Sequence, residues 1–251
     1  MVPFTIEISY LQAAVGRYKQ VNINASEVLK QYATGKRDFQ GFDLNGADFH
    51  RAFLKGITLQ GSNLIGANLS GADLEAADLS GANLIGANLS GANLIGVNLN
   101  GTDLIGANLV GAKLENAYCV KANLNGANLN GANLRRANLS EASLSGANLT
   151  ETVLSATLID ANLSGTNFCR ASLIEADLQR ANLSGANLAG TNLSKTNLRK
   201  ANLAEANLSG ASLREADLSE ADLTGANLHR ESLHEANFQG AIMPDGKIYH
   251  A

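Results

Sequence analysis

The residues best suited to chemistry lie near the C-terminus, where His229, Glu231, His234 and Glu235 supply side chains that could hold a divalent metal. No further Cys or His completes a ligand set of known spacing around them. Two cysteines are the other reactive candidates. Cys119, within Tyr118-Cys119-Val120, stands where a core residue is due and reads as a small apolar filler, whereas Cys169 follows Phe168 and reads as outward-facing. Two cysteines in a chain of this length do not make a disulfide framework. No Ser/His/Asp grouping, phosphate loop or paired-carboxylate cleft is present in the sequence. The expectation is a protein with no catalytic residue, no cofactor and no metal, and not an enzyme.

The elements that would position these residues are unusual in composition. Across 251 residues there is no Trp, 2 Pro and 25 Gly, which is unlike an enzyme with a varied core. Taking Leu or Phe as a centre, centres recur every five residues from Phe39 to Leu154, step by four to Leu158, and recur every five again to Phe238. Of these 41 centres 36 are Leu, and Ala stands two residues before the centre in 30 of them. A five-residue step spreads side chains around an α-helix and alternates faces on a strand. Only a chain that turns within every unit keeps the leucines on one side, so the pattern predicts a solenoid with Leu and Ala inward, Leu69, Leu89, Leu109 and Cys119 among its core. Glycine supports this reading, because 22 of the 25 occupy the position two after the centre, a turn slot that favours φ > 0. In the second block that slot is often charged, as in Arg180, Lys200 and Glu220. This predicts type II turns early and a different turn in many later units.

The run Asn63 to Val110 is the most regular, and Ala67-Asn68-Leu69-Ser70-Gly71 with its neighbours resembles the pentapeptide-repeat family, whose motif is A(D/N)LXX. The resemblance covers about residues 37–243. It implies an all-β solenoid, a right-handed quadrilateral β-helix with four units per coil and about ten coils. At ~4.8 Å per coil the rod would be on the order of 50 Å long. The stretch from Leu29 to Phe39 is also similar to the run-in of many cyanobacterial members.

Residues 1–38 read as an N-terminal capping segment, or alternatively as a small partner-binding module; residues 39–243 as the β-helix with a register break near 155–157; residues 244–251 as a turn and tail, with Met243 filling a last core position. Phe4, Ile6, Ile8 and Tyr10 alternate with polar residues as a strand would, although Leu11 to Val15 could make a short helix there instead. Ser26 can cap a helix over about 27–34 that stops at Gly35. A cap is expected because the open ends of a repeat stack would recruit further chains.

Outward positions carry the functional reading. With 20 residues per coil, Ile65, Ile85 and Ile105 form one ladder and Ile95 lies on another face. Between Lys55 and Lys113 there is no basic residue, while Asp73, Glu75, Asp78 and Asp103 are acidic. Such a face reads either as ordinary ladder packing or as a contact site. The expected function is a protein–protein interaction scaffold, with a homodimer possible. The family resemblance also brings a second reading, a DNA mimic binding a type II topoisomerase. Against it, residues 39–251 hold 20 acids and 14 bases, a balance of only −6. The net charge of −4 does not favour nucleic acid as a partner. No window suits a membrane span or a signal peptide, and two cysteines suit a reducing compartment, so the expected location is the cytoplasm.

Overall fold

The computed structural model describes residues 21–229 and 233–250. The expected strand around Phe4 to Tyr10, and Glu231, lie outside the described residues. The repeat forms a four-sided solenoid: parallel bridges join Asp43 to Asn63, Asp48 to Asn68, Phe53 to Asp73 and Thr58 to Asp78, and the same offset of 20 recurs along the rod.

One unit, Ala87-Asn88-Leu89-Ser90-Gly91, shows why these five residue types recur. Ala87 N–H donates to the Leu84 carbonyl and closes the corner at 3.0 Å; Asn88 N–H donates back one coil to Ala67 (2.9 Å), and Leu89 N–H donates forward to Asn108 (2.7 Å). Gly91 N–H also donates forward, to Val110 (2.9 Å), while Ser90 N–H is taken by the side chain of Asn88 (3.2 Å). Every backbone donor in the unit therefore has a partner, which explains both the frequent Asn or Asp before the centre and the scarcity of Pro. Asn side chains also link coils, as Asn108 Nδ2 donates to Asn88 Oδ1 at 3.2 Å.

Inside, Leu69, Leu89 and Leu109 are fully buried and stack in one column, with Ala67, Ala87 and Ala107 buried beside them. Thr102, Thr166 and Thr191 replace Ala at no hydrogen-bonding cost, since each hydroxyl donates to a carbonyl of the preceding coil at 2.8 Å.

The corners correct one expectation. Charged residues in the turn slot do not bring a second turn type: Arg180, Lys200 and Glu220 hold φ of 58–59°, in the same left-handed region as Gly91 at 62°. The ladder donor on that residue must point at the next coil, and only a left-handed residue aims it there, so the backbone keeps the strained conformation whichever side chain it carries.

One coil has 19 residues, its bridges running Asn138 to Thr157, Ser143 to Asn162, Asn148 to Asn167 and Val153 to Ser172. The lost residue is the left-handed corner itself: Ala156 follows Ser155 directly and is buried in the position Ala usually fills. Thr157 and Leu158 still donate to Ala137 and Asp177, so both ladders continue across the defect.

Elements outside the repeat pack against both ends of the described rod. β1 (Val21–Asn22) pairs in parallel with β2 (Phe42–Asp43) and adds a strand to the first coil. α1 (Ala25–Ala33) follows, with Val28 fully buried in the core and Leu29 and Tyr32 packed against it. Its cap is Asn24, whose side chain accepts from Glu27 N–H at 2.9 Å; Ser26, the expected cap, instead donates its hydroxyl to Asn24. Gly35 at φ 101° ends the helix, with Gly35 N–H bonded to Tyr32 and Lys36 N–H to Gln31, the Schellman pattern. At the other end Pro244-Asp245-Gly246 turns the chain back, so that Ile248 pairs antiparallel with Ile242 and the Tyr249 ring lies 6.0 Å from that of Phe238.

Candidate interaction surface

The structure places the reactive candidates apart. Cys119 is 2% exposed, and burial pushes its thiol up to about 12, so it stays neutral and unreactive. Both cysteines are free. His229 and His234 follow centres on adjacent faces, His234 lies 3.3 Å from Glu235, and no cluster able to hold a metal occurs among the described residues.

Ile65, Ile85 and Ile105 follow the centres of one column, as the bonds from Gly66 to Ile85 and from Gly86 to Ile105 require. Stacking half-buries Ile65 and Ile85, while Ile105, whose next neighbour in the column is Asn125, is 39% exposed. Ile95 lies on a different face between Glu75 and Glu115, also half-buried. Beside the ladder run Gly66, Gly86 and Gly106, where an added Cβ would meet nothing within 4 Å. The corner is open there. A trough of about 410 Å³ follows another glycine corner, lined by Gln40, Gln60, Ser80, Asn100 and Gly41, Gly61, Gly81.

Charge is organised by the 20-residue offset. Lys55 pairs with Glu75 at 2.7 Å, Lys121 with Glu141 at 3.3 Å, Lys195 with Glu215 at 3.8 Å and Lys200 with Glu220 at 3.4 Å. Arg180 grips Asp160 with two nitrogens, at 2.7 and 2.6 Å. These pairs are exposed and each adds little to stability. The bidentate contact still holds the Asp160 carboxyl below its ordinary value. Because the folded-state value is depressed, the contribution is present above the unfolded carboxylate range and is lost as pH falls through the folded value. A carboxyl-detected NMR titration should give Asp160 a midpoint below the ordinary aspartate value, and Arg180→Gln should move it up. An unchanged midpoint in that variant would show that the pair does not persist in solution.

A family model for pentapeptide repeats matches this chain in 8 copies between residues 43 and 245. The chain belongs to the pentapeptide-repeat family. The right-handed quadrilateral β-helix of that family is the fold of this chain. Among solved structures it is similar to HetL, a pentapeptide-repeat protein involved in heterocyst differentiation regulation from the cyanobacterium Nostoc sp. strain PCC 7120, with 36% identity over 90% of this chain and 100% of that one, at TM-score 0.55. QnrB1, a plasmid-mediated fluoroquinolone resistance protein, is 24% identical over 75% of this chain and 87% of that one, at TM-score 0.39. Rfr23 from the cyanobacterium Cyanothece 51142 is 31% identical over 48% and 86%, at TM-score 0.24. No curated protein matches the sequence. Among the described residues no helix is long and apolar enough to cross a membrane.

Proposed function

We propose that this pentapeptide-repeat protein is a non-catalytic scaffold that binds another protein along the isoleucine ladder. The observation that carries the reading is the strip itself: Ile65, Ile85 and Ile105 in register beside three bare glycine corners, on the segment between Lys55 and Lys113 that has acids but no bases. An apolar strip rimmed by polar residues is the form of a contact surface. The stacked leucines and alanines fill the interior, so recognition falls to the outer faces. The topoisomerase-directed DNA mimic is the weaker reading, because the columns pairing Lys121, Arg180, Lys195 and Lys200 with acids break up any continuous anionic face.

The test is affinity capture with the full chain, comparing wild type, Ile85→Lys and Ser90→Lys, the last placing the same charge on the adjacent face. Ile85→Lys is expected to reduce recovery of the bound protein about tenfold or more, since a lysine would be buried unpaired in the contact, and Ser90→Lys to leave it unchanged. Light scattering on the same variants reports whether the bound protein is a second copy. Equal recovery by all three proteins sinks the proposal.

A further inference from the structure

From Lys113 onward, cation pairing among the described residues has one local gap. Of the described lysines and arginines from Lys113 to the C-terminus, Lys121, Arg170, Arg180, Lys195, Arg199, Lys200, Arg214 and Lys247 each make an ion pair. Lys113, Arg135 and Arg136 make none, and all three are exposed. They belong to two consecutive coils of one face, as the bridge from Lys113 to Asn133 and the bond from Asn116 N–H to the Arg135 carbonyl show. An acid lies within the cluster but makes no ion pair there. Glu115, one coil before Arg135 in its column, accepts from Asn133 Nδ2 at 2.7 Å, and its second oxygen is buried without a partner. Around the same corner Tyr118 is 55% exposed.

We infer that Lys113, Arg135 and Arg136, with Tyr118 at their edge, form a second docking site that takes a short acidic segment of a partner protein. This rests on reading the rod as a protein-binding surface and adds the chemistry of what it binds. Three cations without ion pairs on two neighbouring coils attract carboxylates, while the exposed aromatic ring offers an apolar anchor beside them. A nucleic acid fits less well. Its phosphates supply one charge per ~1.7 Å of duplex and need an extended basic track, whereas this cluster spans two coils and its column carries the acid Asp73 two coils before Lys113.

The experiment measures fluorescence anisotropy of a labelled nine-residue peptide, Ala-Glu-Glu-Leu-Asp-Glu-Leu-Glu-Ala, with the full chain at low salt. A duplex DNA and a peptide with Gln for each acid serve as competitors. The main variant is Lys113→Asn with Arg135→Ser and Arg136→Gly, residues the repeat itself uses at those positions. Binding of the acidic peptide by wild type, weakened about tenfold or more in the variant, is the expected result, with the Gln peptide inactive. Should the triple variant not fold, Lys113→Glu alone is expected to weaken binding, and unchanged binding there counts against the site. No peptide binding by wild type, equal binding by the variant, or tighter binding of the duplex than of the peptide overturns the proposal. None of these readouts depends on the isoleucine ladder or on capture of a native partner.

Discussion

Leu89→Ala is expected to destabilise the rod by about 2–5 kcal/mol, and to do so locally. Leu89 is fully buried with Leu69 and Leu109 stacked on either side of it, and these cannot close the gap without abandoning their own ladder bonds to Asn88 and Asn128. The loss is therefore the transfer free energy of the missing carbons plus a residual cavity. Because each coil contacts only its neighbours, the damage should stay near them. Hydrogen exchange should show accelerated amides in the coils on either side of residue 89 and unchanged protection near Leu183. Uniform acceleration along the chain would mean that the solenoid unfolds as one unit and would refute the near-neighbour account.

Val28→Asp should be at least as damaging, by about 3 kcal/mol or more, since an ionised carboxylate in that site has no partner. Val28 is the buried residue by which α1 closes the first coil. Lifting the helix would also break the bond from the Tyr32 hydroxyl to the Lys55 carbonyl, at 2.8 Å, and leave the N-terminal edge unpaired. The expected outcome is concentration-dependent self-association in light scattering together with a lower melting temperature, against Lys30→Gln on the exposed side of the same helix, which should change neither. A monomeric, fully stable Val28→Asp protein would show that the helix does not seal the rod.

Much of this architecture is legible in the sequence because each unit repeats the same small set of constraints. Leu89 and Ala87 announce their burial by period alone, and the 19-residue coil is visible as a single short step between Leu154 and Leu158. The parts that were not legible depend on geometry that the period does not carry. Glu220 in a slot that usually holds Gly suggests a new turn, yet the ladder bond from its N–H to Gln239 forces the old one. Ser26 and Asn24 are both competent caps, and the choice of Asn24 starts the helix two residues earlier than Ser26 would, at Ala25. Ile248 and Tyr249 lie past the last repeat, so nothing in the five-residue pattern signals that they fold back over Phe238. On the candidate surface, the isoleucine column could be read from the 20-residue offset. The unpaired cations could not, because Glu115 looks like a natural partner for Arg135 until its side chain is seen bonded to Asn133.

The short coil sets a rule for how the two ends of the molecule can be oriented. Removing one corner residue leaves Gly146 and Gly165 in the same column, so the isoleucine ladder and the later ion-pair columns keep their angular relation across it. Removing a whole unit of five would instead rotate everything beyond it by a quarter turn about the axis. Directions on this rod are thus quantised: length changes of one residue at a corner are silent, and length changes of one unit re-aim every downstream surface by 90° at almost no cost to the core. A lineage of such proteins could reassign which patches share a face by slippage of a single pentapeptide, without altering one contact residue.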